Sequence, residues 1–213
     1  MSLKDGAVSN EENRTIFTSI AVYFPDANEN LKTIEFLDAS SGVVTIVEKF
    51  GKVFAPVVSD MNGNINKIRK KYEEDSQSHH EIETMILKEQ VEGELFATES
   101  LIWLKRALHF LSTFFQYIII DSDTNRNTQD LAPFLKKAYS ESLEPYHGWL
   151  GSQLFNVLSR FIPSRKNLFY TLALDRHNRD EHVLRDMRIY HQRMMACVAR
   201  LTEFYAAHGL ENL

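Results

Sequence analysis

Apolar residues recur along most of the chain at the three- and four-residue spacing of amphipathic helices. This pattern predicts an almost entirely α-helical protein. The predicted helices cover residues 14–24, 33–49, 53–74, 78–94, 97–119, 128–143, 147–161, 166–173 and 178–207. Short breaks rich in proline, asparagine or glycine separate them, as in YFPDANEN at 23–30. Because no repeat or linker divides the chain, we expect one all-α domain over residues 1–213, in which 1–30 match no usable pattern.

One segment has an ambiguous secondary-structure signal. SSGVVTIVEKF, at 40–50, is rich in β-branched residues and favours a strand by propensity alone. Its flanks, KTIEFLDA and VEKFG, carry helical periodicity instead. Since context often overrides propensity, we assign the segment to a helix that ends near Gly51.

Two long helices are expected to occupy different places in the fold. The helix at 97–119 carries apolar residues almost all round, which is typical of a helix buried on most sides. The helix at 178–207 places charged residues between its apolar positions, which indicates an outer, half-exposed helix. Those charged or polar residues are Arg185, Arg188, His191 and Arg193.

A polar row in SDMNGNINKIRK, at 59–70, lies unusually close to an apolar helix face. Asp60, Asn64 and Lys67 follow one another at i, i+4 and i+7, beside Val53 and Val57. One interpretation is a row of polar side chains at the solvent boundary. The other is a polar patch at the mouth of an apolar cavity, where an acid, an amide and an amine bind a ligand's hydroxyl groups.

Aromatic residues supply further candidates for such a cavity. Trp103 is most simply a core residue, but an indole at a pocket mouth also stacks on the apolar face of a sugar ring. Lys105 and Arg106 follow it, so we expect a polar rim nearby. In EPYHGWL, at 144–150, His147 is placed to point inward and Trp149 outward. An exposed tryptophan at such a corner suits a membrane interface.

Composition restricts the class of protein. With 213 residues and 44% hydrophobic content, the chain can bury a full core, while 8 Gly and 5 Pro argue against a loop-rich or disordered protein. The net charge of −5 predicts no nucleic-acid partner. The single cysteine, Cys197, lies in a periodic helix and is expected to be a small core residue. No apolar stretch is long enough to span a bilayer, and the polar N-terminus lacks a signal-peptide pattern. We expect a soluble, cytoplasmic monomer.

The sequence offers no convincing catalytic centre, metal site or cofactor motif. DSDTNRNTQDLA, at 121–132, resembles a calcium loop, but Arg126 replaces the required glycine and Ala132 the final glutamate. SHHEIE at 78–83 and DRHNRDEH at 175–182 lack the i, i+4 histidine spacing of a zinc helix. We interpret both as solvated polar faces. The expectation is therefore a protein that is not an enzyme and holds neither metal nor cofactor.

Taken together, three motifs resemble one family. The D-x-x-x-N-x-x-K row of SDMNGNINK, the LIWLKRAL segment and the YHGW motif occur in the order and approximate spacing of the glycolipid transfer protein family. The likeness extends from about residue 33 to 173. It implies a two-layer helical sandwich of about eight helices that encloses an apolar tunnel for the chains of one sphingolipid.

The resemblance also implies roles for individual residues. Asp60, Asn64 and Lys67 would hydrogen-bond the sugar, and Asp60 would also reach the ceramide amide nitrogen. Trp103 would stack on the sugar, and His147 would bond the amide carbonyl. Trp149 would touch the bilayer during loading and release.

The family has a second branch, which is selective for ceramide-1-phosphate. That branch carries basic residues at the positions of Asn64 and Trp103, and one more where this chain has Glu99. A phosphate needs cations for charge-assisted hydrogen bonds, so the neutral set here favours a glycosphingolipid ligand, with transient peripheral contact with membranes. Three alternatives remain: a glycolipid sensor that does not shuttle, ceramide-1-phosphate transfer, and a hydrolase that uses Asp60 and His147.

Overall fold

The computed structural model describes residues 13–19 and 22–211. Within these ranges the chain folds into nine α-helices and three short 3₁₀ turns, and contains no strand beyond an isolated bridge between Lys32 and Glu81. The α-helices are α1 Ile16–Ser19, α2 Thr33–Glu48, α3 Ala55–Glu74, α4 Ile82–Glu92, α5 Phe96–Asp123, α6 Ala132–Ser142, α7 Trp149–Leu158, α8 Arg165–Leu172 and α9 Asp180–Ala207. The 3₁₀ turns are Lys52–Phe54, Glu144–Tyr146 and Ser159–Phe161. The predicted all-α class is confirmed.

The ambiguous segment at 40–50 is helical, as predicted. It forms most of α2, where Ser40 and Ser41 donate hydrogen bonds to backbone carbonyls four residues earlier. Val43, Val44 and Ile46 are buried, so tertiary packing outweighs their β propensity. The helix ends at Glu48, and Gly51 follows in a positive-φ conformation that starts the next turn.

Several predicted helix boundaries are wrong, and the helix predicted from residue 128, for example, begins at Ala132. The predicted helix at 14–24 is helical only over Ile16–Ser19 and irregular from residue 22, while residues 20 and 21 lie outside the described residues. The helix predicted from residue 78 begins at Ile82. The cause is tertiary: the backbone of 80–82 bonds with that of 31–33, through Thr33 N to His80 O at 2.9 Å and Ile82 N to Leu31 O at 2.8 Å.

Helix α5 lies at the centre of the fold. It packs against α3, α4, α6 and α9, and buries Leu101, Leu104, Leu108, Phe114 and Phe115 fully. This matches its apolar circumference. It continues to Asp123, beyond the predicted end at residue 119, so the first part of the calcium-like segment is helix rather than loop. Asp121 is buried there and accepts hydrogen bonds from the backbone and side chain of Thr128.

The SHHEIE segment differs from the solvated face that the sequence predicts. His79 and Glu83 are both buried. The Nδ1 atom of His79 lies 2.7 Å from the Lys71 carbonyl, while Glu83 accepts from the Leu31 N–H at 3.0 Å and from Arg200 at 2.5 Å. The two partners of Glu83 come from distant parts of the chain, and local periodicity carries no information about them.

The last helix, α9, has the predicted half-buried character. Val183, Met187, Tyr190 and Leu201 point into the core, whereas the arginines at 185, 188 and 193 lie on its exposed side. Cys197 is fully buried, and burial raises the pKa of its thiol to about 12, as expected for a core residue. Among the described helices, none is both long and apolar enough to cross a bilayer.

Candidate functional site

A cavity of about 640 Å³ opens between α3, α5, α6 and α7. All five residues that the sequence predicts for a headgroup site line this cavity, together with apolar side chains. The lining residues are Pro56, Val57, Asp60, Met61, Asn64, Lys67, Trp103, Ala107, Phe110, Leu111, Tyr139, Leu143, His147, Gly151, Leu154, Phe155 and Leu158. The fold therefore brings three separate sequence motifs to one place.

Helix α3 contributes the polar row at one side of the cavity. Pro56 lies in its first turn, where the missing N–H has no helical partner to lose. Asn64 is buried, whereas Asp60 and Lys67 on either side of it are exposed. The Asn64 Nδ2 atom lies 3.4 Å from Asp60 Oδ2, a long hydrogen bond that a ligand can replace. Both interpretations of the row thus hold in part: it lies at the solvent boundary, and it faces a cavity.

Partial desolvation perturbs the two titratable groups that face each other across the cavity. Burial raises the pKa of Asp60, and the nearby His147 and Lys67 oppose that rise. Burial lowers the pKa of His147, and Asp60 opposes that fall. Desolvation is the largest cause of both pKa shifts, so the site disfavours a charged imidazole. A neutral imidazole suits hydrogen bonding to the neutral polar groups of a ligand.

Trp103 lies between the cavity and a buried cation. Its indole is nearly parallel to the His147 imidazole, with centroids 6.0 Å apart and an interplanar angle of 29°. The Arg106 guanidinium lies 5.0 Å from the indole centroid and 3.7 Å from that of Tyr146. These contacts fix the plane of the indole at the cavity wall.

The prediction of a polar rim at Lys105 and Arg106 is wrong, because both side chains are buried. Lys105 forms a short ion pair with the Glu211 carboxylate, and Arg106 Nη2 donates to the Glu211 carbonyl at 2.9 Å. The C-terminal segment covers them, and Leu210 is buried as well. Sequence reasoning missed this role of Glu211, and no local pattern around it signals it.

His147 follows the 3₁₀ turn Glu144–Tyr146 and is held by residues that the sequence analysis missed. Tyr139 Oη, on α6, lies 3.0 Å from His147 Nδ1 and 3.3 Å from Ser152 Oγ. Gly151, on α7, packs directly beneath the ring, since a Cβ atom there would lie 3.1 Å from the His147 Cβ and Cγ atoms. Gly151, the second glycine of HGWLG, is a usable sequence signal, because a glycine inside a helix often marks the close approach of another group to the backbone.

The cavity becomes apolar and aromatic away from the polar row. A small void of about 40 Å³ continues from it into the core and shares Val57, Phe110, Leu111, Phe155 and Leu158 with it. Phe50, Phe54 and Leu135 close the far side. The polar end and this apolar end form one amphiphilic path into the helix bundle.

Helix α7 and the 3₁₀ turn that follows it carry exposed apolar residues. Trp149 is 77% exposed, and Leu154, Val157 and Phe161 are about half exposed. Leu154 belongs to the cavity lining as well. The inward imidazole and outward indole therefore lie as the sequence predicts, two residues apart on opposite sides of the helix start.

Comparison with known proteins gives consistent matches. The profile of the Glycolipid transfer protein (GLTP) family matches residues 31–174. Pleckstrin homology domain-containing family A member 8 from Danio rerio is 32% identical over 216 residues, which cover 93% of this chain and 38% of that protein. The chain thus spans about two fifths of that relative's length. Glycolipid transfer protein from Danio rerio is 29% identical over 186 residues, covering 84% of this chain and 88% of that protein.

Solved structures agree with these sequence matches. A structure of FAPP2, which selects simple glycosphingolipids using the GLTP-fold, has a TM-score of 0.81 at 28% identity and covers 93% of this chain and 98% of that one. Human ceramide-1-phosphate transfer protein in complex with 12:0 ceramide-1-phosphate has a TM-score of 0.77 at 17% identity, covering 93% and 96%. At that lower identity the likeness shows the fold alone.

Proposed function

The chain belongs to the glycolipid transfer protein family, and we propose that it binds one glycosphingolipid and transfers it between membranes without catalysing a reaction. The observation that carries this proposal is the two-ended cavity. One end brings together Asp60, Asn64, Lys67, Trp103 and His147, and the other end is aromatic and aliphatic. A glycosphingolipid has the matching division between a polar head and apolar chains.

The polar end suits a sugar joined to an amide. Asp60 offers acceptors, Lys67 offers donors and Asn64 offers both, which fits the alternating hydroxyl groups of a sugar. Trp103 presents an aromatic plate on which the apolar face of a sugar ring stacks. We propose that His147 donates to the amide carbonyl and that Asp60 accepts from the amide N–H.

The apolar end explains why a protein is needed for transfer. Exposing a lipid chain to water costs about 0.8 kcal/mol per CH₂ group, so two long chains rarely leave a bilayer unaided. Enclosing them beside Val57, Phe110 and Phe155 removes most of this cost. The chains need more room than the void of about 40 Å³ provides, so binding must displace aromatic side chains that surround it.

A phosphate headgroup fits this site less well than a sugar. Asn64 is neutral and buried, and the wall beside it is the Trp103 indole rather than a cation. Glu99, one turn before Trp103, is an exposed acid that would repel a phosphate monoester. The neighbouring cation, Arg106, is buried behind the indole and bonded to the Glu211 carbonyl.

Contact with the membrane is proposed to occur through Trp149 and the exposed face of α7. Trp149, Leu154, Val157 and Phe161 are exposed apolar residues of one short stretch of chain, and Leu154 also lines the cavity, so we group them as one apolar patch. Tryptophan settles at the depth of lipid headgroups, so this patch would hold the mouth against a donor bilayer. A net charge of −5 gives no general attraction to anionic lipid.

A vesicle assay tests the proposal. Donor vesicles carry fluorescent glucosylceramide or fluorescent ceramide-1-phosphate of equal acyl length, and transfer to acceptor vesicles is followed by loss of quenching. We expect faster transfer of glucosylceramide. Faster transfer of ceramide-1-phosphate would assign the chain to the phosphate branch, and tight binding without transfer would indicate a sensor.

Trp149→Ala tests the membrane contact in the same assay. Transfer should fall several-fold while equilibrium binding of detergent-solubilised glucosylceramide stays near that of the wild type. The matched control is Val91→Ala, which truncates an 89% exposed apolar side chain on α4. Equal transfer by Trp149→Ala and wild type would remove this residue from the docking surface.

A further inference from the structure

Tyr139 is a buried residue whose hydroxyl contacts the candidate amide-binding histidine. Only 4% of the side chain is exposed, and its ring stacks on Phe155 with centroids 3.7 Å apart and an interplanar angle of 6°. The edge of Phe110 packs against it as well, with centroids 6.5 Å apart. The aromatic contacts fix the ring, so its hydroxyl has one position, 3.0 Å from His147 Nδ1.

The orientation of His147 leaves its two ring nitrogens in different surroundings. The edge that carries Nδ1 packs over Gly151, where a Cβ atom would lie 3.2 Å from Nδ1. Nε2 lies on the other side of Cε1, and within residues 13–19 and 22–211 no group forms a hydrogen bond with it. Nε2 is thus the nitrogen available to a ligand in the cavity that His147 lines.

The hydrogen bond at Nδ1 decides what Nε2 offers to that ligand. A neutral imidazole carries one proton, and the partner of one nitrogen sets which nitrogen holds it. If Tyr139 donates to Nδ1, the proton lies on Nε2, which becomes a donor. If Nδ1–H donates to Tyr139, Nε2 becomes a bare acceptor. The Tyr139 hydroxyl has one hydrogen, and two acceptors lie within its reach, Ser152 Oγ at 3.3 Å and His147 Nδ1 at 3.0 Å. The imidazole nitrogen is the nearer and the more basic of the two, which favours the first arrangement.

We propose that Tyr139 is a positioning residue that donates its hydroxyl hydrogen to His147 Nδ1 and thereby fixes a donor, Nε2–H, toward the amide carbonyl of the bound lipid. This inference rests on the proposed function, since the amide is that of a glycosphingolipid. Selectivity for N-acylated lipids then comes partly from a residue that acts through His147.

Nitrogen NMR on the wild-type protein tests the tautomer directly. In protein labelled with ¹⁵N-histidine at a pH above the imidazole pKa, bare and protonated ring nitrogens have well-separated resonances. His147→Gln identifies the His147 signals by their disappearance. The proposal expects a bare Nδ1 and a protonated Nε2. A protonated Nδ1 would overturn it, and this measurement does not depend on any Tyr139 variant folding.

Tyr139→Phe tests the consequence for binding, because it keeps the stacked ring and removes only the hydroxyl. A neutral hydrogen bond is worth about 1 kcal/mol, so affinity for glucosylceramide should fall about three- to tenfold. Affinity for glucosylsphingosine, which lacks the N-acyl carbonyl, should change by less than about twofold. Equal losses for both lipids would mean a merely structural role. The matched control is Tyr117→Phe, which removes a hydroxyl bonded to Glu141 outside the cavity.

The two proposals fail in different ways. If the wild-type protein binds no glucosylceramide, the proposed function is wrong, whatever tautomer His147 adopts. If the wild type binds it and Tyr139→Phe binds it equally well, only the inference about Tyr139 is wrong. A wild-type-like NMR pattern in Tyr139→Phe would also overturn the inference, since it would show that the hydroxyl does not set the tautomer.

Discussion

The indole of Trp103 and the imidazole of His147 lie nearly parallel, at 29°, with their centroids 6.0 Å apart. One ring comes from the first half of α5 and the other from the turn before α7, 44 positions later in the chain. Because both rings line the cavity, a sugar stacked on the indole would have its amide linkage beside the imidazole. Headgroup and linkage would thus be recognised by one rigid pair of rings.

Replacing Trp103 by alanine should remove the stacking surface and lower glucosylceramide transfer at least tenfold. The side chain is only partly buried, so the free energy of unfolding should fall by about 1–2 kcal/mol and the fold should persist. Trp103→Phe should retain part of the activity. Transfer rates and urea unfolding of the two variants provide the measurements, and full transfer by Trp103→Ala would exclude the stacking role.

Replacing Asp60 by valine should weaken binding more than stability. The carboxyl group makes one long contact, 3.4 Å to Asn64 Nδ2, so its removal costs the buried Asn64 amide only a weak hydrogen bond. A hydrogen bond to a charged group is worth about 1.5–3 kcal/mol, which predicts about 10- to 100-fold weaker glycolipid binding. Asn66→Val, on the exposed side of the same helix, controls for the effect of a β-branched residue. A large fall in melting temperature with intact binding would make Asp60 structural.

Replacing Gly151 by alanine should displace His147. The new Cβ would lie 3.1 Å from two atoms of that side chain, which is too close for a relaxed contact. Alanine also stabilises a helix by about 1 kcal/mol relative to glycine, so the net change in stability should be small. Binding should fall about threefold or more. Gly63→Ala in α3 is the control, because its new Cβ would meet open space. Its change in melting temperature measures the gain in helix propensity alone.

Replacing Arg106 by glutamine should loosen the indole and the C-terminal segment together. The substitution removes the cation between the Trp103 and Tyr146 rings and the hydrogen bond to the Glu211 carbonyl. We expect a loss of about 1–3 kcal/mol in stability. In a Trp149→Phe background, where Trp103 is the one remaining tryptophan, its emission should shift to the red. An unchanged spectrum would show that Arg106 does not hold the indole.

Stability should fall as the pH is lowered below about 6.5, because burial lowers the pKa of His109, His147 and His191. The unfolded chain then binds protons that the folded chain excludes, so the stabilisation present above 6.5 is lost as the pH falls toward the lowered pKa values. Urea unfolding at about pH 7.5 and about pH 5.5 measures this difference.

Two variants separate the contributions of these histidines. His147→Gln and His191→Gln should each reduce the pH dependence of stability, but only His147→Gln should also weaken glycolipid binding. His191 lies on α9, outside the cavity lining. A pH dependence that neither variant reduces would assign the effect to other groups.

Much of the site could be predicted from the sequence because its signals are local. The spacing of Asp60, Asn64 and Lys67 follows from helical geometry alone, and so does their position at the edge of an apolar face. The all-α class follows from apolar periodicity, which even the β-branched stretch of α2 obeys. The motifs around Trp103 and His147 could be grouped by their resemblance to one family. Their spacing along the chain did not by itself predict that they lie at one site.

Other features were decided by tertiary structure. The sequence predicts an exposed rim at Lys105 and Arg106, but a segment more than 100 positions later covers both of them. Tyr139 and Gly151 gained their roles only when α6 and α7 folded against each other around the His147 ring. Periodicity reports which face of a helix is apolar, since that depends on neighbours along the chain. It does not report which distant groups share the buried space, because that depends on how the helices pack.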